Sequence, residues 1–203
     1  MPVFAQVAED FEPGEVAVAE VSSTVTAEGN QVEVFNVFTE KWAEDNHYCP
    51  SGWMGDYGDI QLDDNSRDNP HSGTSCLKIT YNAKGAQNAG WMGIFWQNPP
   101  NNWGDQMGGY DLTGYNKVTF WARGQEGGEI ISEFKVGGIN GMYFDSDSTS
   151  IGPITLTKDW KQYEIPLKGL DLSYISGGFC FSAKASDNPQ GFTLYLDDIK
   201  YEK

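Results

Sequence analysis

The chain closes on FTLYLDDIKY, residues 192–201. Phe192, Leu194 and Leu196 recur at every second position, the spacing that puts side chains on one face of a β-strand. Carried one step further, that rhythm sets Asp198 on the same core-facing side as the leucines. A carboxylate there is costly unless it is paired or bound to a metal. Two readings follow: Asp197 and Asp198 hold a hard cation, or a β-bulge turns Asp198 outward and lets Ile199 resume the core. The cation is the expectation taken forward.

The same period of two runs through the chain. CLKITYN sets Leu77, Ile79 and Tyr81 on one face, and KVTFWAR does so with Val118, Phe120 and Ala122. EIISEFKV opposes Ile130, Phe134 and Val136 to Glu133 and Lys135. WKQYEIPL aligns Tyr163, Ile165 and Leu167, and GFCFSA aligns Phe179, Phe181 and Ala183. Turn-forming clusters separate these runs: NAKG, GGYDLTG, RGQEGG, GGING and DNPQG. No amphipathic stretch of normal helical length interrupts them. The pattern predicts an all-β protein, an antiparallel β-sandwich of jelly-roll type spanning residues 31–203. Residues 1–30 read differently, as an extended arm without tryptophan. Val16 and Val18 share one face there, and Val21 and Val25 the other. Such a strand must pair with its own sheet or with that of another chain.

Among 203 residues, 29 are acidic and 13 basic, a formal charge of −16. That charge repels nucleic acid and anionic membrane surfaces and attracts divalent cations. No apolar run approaches the roughly eighteen residues of a membrane span, so membrane insertion is not expected. The start, MPVFAQVAEDFEPG, lacks the basic and apolar regions of a signal peptide and is compatible with a mature sequence behind an initiator Met. The Gly-, Asn- and acid-rich composition leans towards an extracellular, secreted protein. Cys49, Cys76 and Cys180 are odd in number and form no CxxC, which argues against a zinc or redox site. One disulfide with a free thiol, or three thiols, both remain open.

The phrases YDLTGYNKVTFWARG, EFKVGG, ITLTKDWKQYEIPLKGLDLS, GGFCFSA and FTLYLDDIKYE follow one another in an order that resembles the jelly-roll carbohydrate-binding modules of galactose-binding-like fold. The chain is also similar to archaeal extracellular cannula (tubule) subunits, calcium-binding jelly rolls of the same general kind. The resemblance implies a structural Ca²⁺ near the last strand, at Asp197 and Asp198. Other acids cluster in DYGDIQLDDNSRD, with Asp63 and Asp64, and in FDSDS, with Asp145 and Asp147. Acids on loops can converge on Ca²⁺, although neither stretch has EF-hand spacing. The alternative for each is a solvated loop carboxylate.

Catalytic chemistry finds little footing. His47 and His71 are the only histidines, far apart in loop-like contexts, which disfavours a Ser–His–acid triad or a histidine-held zinc. GTSC is no nucleophile elbow, and GGINGM lacks the strand–helix setting of a nucleotide loop. A paired-carboxylate glycosidase is the remaining catalytic option, and no glutamate is singled out for it.

The tryptophan-rich stretch GWMGIFWQNPPNNWGD, residues 90–105, splits by alternation. Met92, Ile94 and Trp96 belong to the core. Trp91 and Phe95 face the other way, with Trp103, Asn101, Asn102 and Tyr110 close by in sequence. Aromatic faces flanked by amides suit a sugar ring and equally suit an interface. Trp53 reads as a loop anchor, and Trp121 as a residue covered by a neighbour. The preferred function is a non-catalytic, calcium-binding structural subunit of an extracellular filament or tubule. Its partners would be copies of itself, joined by the N-terminal strand. The alternative is a module that binds polysaccharide through exposed Trp and Asn.

Overall fold

The computed structural model describes the backbone of residues 22–25 and 31–203, with side chains from residue 33 onward. Val16, Val18 and Val21 lie outside the described residues, as do the rest of residues 1–21 and 26–30. The strands are β1 (Ser22–Val25), β2 (Gln31–Phe38), β3 (Cys49–Gly55), β4 (Ile60–Ser66), β5 (Cys76–Tyr81), β6 (Trp91–Gln97) and β7 (Lys117–Gly124). They continue with β8 (Ile130–Ile131), β9 (Glu133–Gly137), β10 (Ser148–Ile151), β11 (Ile154–Thr155), β12 (Lys161–Pro166), β13 (Gly177–Lys184) and β14 (Phe192–Glu202). Every pairing between them is antiparallel. The architecture is the sandwich that the alternation predicts.

The long strand β14 is the hub of a seven-stranded sheet. One edge carries β7 and, beyond it, β12. The other edge is shared: β5 pairs with it through Leu196, and β2 takes over from Ile199. β4 lies outside β5, and β1 outside β2. A five-stranded sheet in the order β10-β9-β13-β6-β3 packs against this one.

The changeover on β14 resolves the two readings of its acids. Asp197 pairs with Trp121 and Lys200 with Thr119, so Asp198 and Ile199 together oppose Phe120. Asp198 has φ 48°, a left-handed conformation that short polar residues tolerate better than bulky ones. This is a β-bulge. It corrects the expectation that Asp198 faces the core: Leu196, Ile199 and Tyr201 are fully buried, whereas Asp198 is half-buried. One inserted residue keeps the apolar side continuous where β14 changes partner.

Between the sheets lies the core. Phe120 meets Phe134 at 4.6 Å between ring centroids, and Trp96 meets Phe179 edge-on at 5.6 Å. Met92 and Ile94 are fully buried beside them. Each such side chain contributes about 1.5–3 kcal/mol by leaving water. The period fails again around Ser132. Ile131 rather than Ile130 is buried there, because the Ser132 N–H bonds to the Ser182 carbonyl at 2.8 Å and interrupts the run. β8 then pairs with β11 instead of continuing β9.

Part of the outer face of the seven-stranded sheet, around Trp121, is covered by the chain itself. The β4–β5 connection, residues 67–75, lies across it. His71 stacks on Trp121 at 3.8 Å, and the Trp160 Nε1–H donates to the Asn69 carbonyl at 2.8 Å. Arg123 donates to the Asp68 carbonyl at 2.6 Å. Trp121 is therefore covered by a loop of its own chain.

Candidate functional site

The outer face of the five-stranded sheet carries a groove of about 500 Å³. Its floor comes from β6 and β13, which pair through Cys180 with Phe95 and Ser182 with Gly93. Trp91 and Trp103 line it, together with Met54 from β3, Glu133 and Lys135 from β9, and the loop Gly138–Asn140. Phe95 is buried with Ile139 and Cys180, and Met54 packs against that small cluster. Trp103 stands edge-on to Phe95, with centroids 6.4 Å apart. Gly93 makes room here: a Cβ on it would lie 2.9 Å from Met54 Cε and 3.4 Å from Trp91 Cζ3. The groove thus joins aromatic faces to a carboxylate, an ammonium, an amide and a hydroxyl. Glu133 and Ser182 are themselves linked at 3.3 Å.

Trp103 is presented by a loop that its own amides wire together. Asn98 accepts the Gly109 N–H on its backbone carbonyl at 2.9 Å, closing the base. Asn102 is fully buried. Its carbonyl accepts from Gln97 Nε2, its Oδ1 from the N–H groups of Gly104 and Gln106, and its Nδ2 donates to the Gln106 carbonyl. Asn101 Oδ1 accepts the Trp103 indole N–H at 3.2 Å. Tyr110 packs edge-on against Phe35 at 5.0 Å and receives a hydrogen bond from Asn98.

Of the six expected ligand or interface residues, Trp91, Phe95 and Trp103 line the groove, and Asn101, Asn102 and Tyr110 do not. Two of those three support the loop, and the third belongs to a different cluster. Trp53 is opposite Ile94 in the register and also does not line the groove. Sequence reading missed Met54, Glu133, Lys135, Asn140, Cys180 and Ser182. The alternation had set Glu133 and Lys135 opposite the core residues of their strand. Nothing local says that β9, β13 and β6 are neighbours.

The acidic residues are engaged by the protein. Asp197 accepts the backbone N–H groups of His71, Ser72 and Asp198, and Asp198 is bonded to His71 Nδ1 and the Ser72 hydroxyl. Burial, reinforced by the Asp198 charge, pushes the Asp197 carboxyl up to about 7. A calcium ion needs six to eight oxygens. This set of N–H and O–H donors around two carboxylates does not fit one. Asp145 accepts from the N–H groups of Ile139, Ser176 and Gly177 and from the Ser176 hydroxyl. Asp147 accepts from the N–H groups of Ser148 and Asp171. Asp63 accepts the Asn65 N–H, and Asp64 pairs with Lys41. No group of three or more His, Cys, Asp or Glu suited to a metal occurs among the described residues. All three cysteines are free thiols, with Cys76 and Cys180 buried.

The model of the family described as Carbohydrate binding domain 30 matches residues 34–203. The chain belongs to that family. A crystal structure of a family 30 carbohydrate-binding module superposes with a TM-score of 0.55 at 21% identity, covering 83% of this chain and 97% of the other. The family 30 module of the cellulosomal cellulase Cel9D-Cel44B of Clostridium thermocellum gives 0.54 at 21%, covering 83% and 96%. A family 29 module, a point mutant of CBM29-2, gives 0.50 at 10%, covering 84% and 92%. These similarities show the jelly-roll fold of the module. No curated protein matches the chain.

Membership of this family supports the binding-module reading over the filament subunit. Ser22–Val25, the segment that includes Val25, pairs with β2. Nothing among the described residues supports a calcium-linked polymer of copies.

Proposed function

We propose that this module is a non-catalytic binder of neutral polysaccharide chains, held in the groove on the five-stranded sheet. The observation that carries this reading is the convergence of Trp91, Phe95 and Trp103 on one groove edged by Glu133, Lys135, Asn140 and Ser182. A pyranose ring has an apolar C–H face and a hydroxyl rim. Indole faces suit the first, and a carboxylate, amide and hydroxyl suit the second. The charge of −16 disfavours uronate-rich or sulfated chains. One carboxylate, Glu133, lines the groove, whereas glycoside hydrolysis uses a pair. On the opposite sheet, the tryptophan of β7, Trp121, is stacked under His71 of the 67–75 loop, which supports the groove as the ligand face. One structural relative is a module of a cellulase, so soluble β-1,4-glucan is the first ligand to try. The setting this reading requires is extracellular, where such polysaccharides are found.

Electrophoresis through gels containing hydroxyethylcellulose, β-glucan or mannan tests it. Retardation in at least one, abolished in Trp91→Ala/Trp103→Ala, is expected. Unretarded migration in every neutral polysaccharide would overturn the reading.

A further inference from the structure

We propose a second sugar-binding site, centred on Trp42, on a different part of the sandwich from the groove. It rests in part on the glycan-binding reading above, and its test separates the two. Trp42 is 81% exposed, more than any other large hydrophobic side chain among the described residues. It lines a concavity of about 530 Å³ with Glu40, Lys41, Asn65, Arg67, Thr74 and Ser75. None of these residues lines the groove. The concavity lies where the β2–β3 connection meets the end of β4 and the 67–75 loop.

The walls of this site are built rather than loose. Glu40 accepts from the Thr74 N–H at 2.6 Å, the Thr74 hydroxyl at 3.1 Å and the Ser75 hydroxyl at 2.6 Å, tying two loops together. The Ala43 N–H closes a turn on the Glu40 carbonyl at 3.1 Å. Lys41 is paired with Asp64, and its Nζ lies 5.1 Å from the centroid of the Trp42 ring. Arg67 makes no ion pair among the described residues. An exposed indole therefore stands beside a guanidinium, an amide and hydroxyls. The charges of Glu40, Asp64, Lys41 and Arg67 cancel. That combination suits a neutral pyranose stacked on Trp42, its hydroxyls taken by Arg67 and Asn65.

With two sites on separate faces, one molecule can hold two stretches of polysaccharide. Retention on a dense polymer then exceeds what either site gives alone. The test is titration of ¹⁵N-labelled protein with cellohexaose, following the indole N–H signals assigned with Trp42→Phe, Trp91→Phe and Trp103→Phe. The proposal expects the Trp42 signal to shift and saturate, with Trp42→Ala lowering retention on cellulose at least two-fold. Movement of Trp91 and Trp103 with a stationary Trp42 overturns the second site and leaves the groove reading intact. Movement of Trp42 alone supports this site and overturns the groove. If no indole moves, the second site falls, and the groove stands or falls on the gel panel.

Discussion

The indole of Trp103 stands perpendicular to the ring of Phe95, at an interplanar angle of 89° and a centroid distance of 6.4 Å. One ring is 41% exposed and the other 5%. The pair therefore separates binding from stability. Trp103→Ala should weaken polysaccharide binding by about 2 kcal/mol, roughly thirty-fold, as loss of an aromatic anchor does. It should change unfolding by less than about 0.5 kcal/mol. Phe95→Ala should instead cost about 3 kcal/mol of stability through the cavity it leaves. Isothermal titration and urea denaturation check both, and equal effects of the two variants on stability would contradict the assignment.

Gly93 gives a finer test of the groove floor. A methyl group there meets Met54 Cε at 2.9 Å and the Phe181 carbonyl at 3.0 Å, and comes up against the Trp91 ring. Gly93→Ala should displace Met54 and tilt Trp91, weakening binding several-fold at a stability cost of about 1 kcal/mol. Unchanged affinity would mean that Trp91 does not touch the ligand.

The bulge in β14 makes a prediction about backbone conformation. Asp198→Ala and Asp198→Gly both lose the bonds to His71 and Ser72, but only alanine keeps a Cβ at φ 48°. The glycine variant should be the more stable of the two by about 1 kcal/mol. Chemical denaturation of the pair decides this, and the reverse order would argue against a left-handed residue at this position.

Asp56 sets a pH dependence. The Ala89 N–H, with those of Gln87 and Gly90, holds its carboxyl below the ordinary aspartate value of 3.8. A carboxyl depressed in the folded state contributes stability that is fully present above the unfolded pKa. That stability is lost as pH falls through the folded value. Wild type should therefore lose stability below about pH 4 more steeply than Asp56→Asn, and should be the more stable of the two at pH 7. Parallel stability curves from pH 2 to pH 7 would refute this role.

Much of the fold was legible because a half-buried strand writes itself as alternation. Leu77, Ile79 and Tyr81 are core residues, as are Phe179, Phe181 and Ala183. The rhythm broke at Ser132, where a hydrogen bond to the Ser182 carbonyl interrupts the run, and at Asp198, where β14 bulges as it changes partner. The site was half legible. Trp91 and Phe95 were placed opposite the core by their own strand. Asn101 and Asn102 looked like sugar ligands because an amide reads the same in sequence whether it faces a hydroxyl or closes its own loop.

By itself the sequence determined an all-β sandwich and most of its inward faces, and it set Trp91 and Phe95 on the side of their strand away from the core. Side-chain period and turn chemistry are local properties. Tertiary structure alone decided that β9, β13, β6 and β3 lie side by side, bringing Glu133, Lys135, Ser182 and Met54 to Trp91 and Trp103. It also decided that the acids of β14 meet His71 and Ser72 from a loop more than a hundred residues earlier. Such meetings depend on the order of strands across a sheet. That order is set by how the whole core packs, and no single strand encodes it.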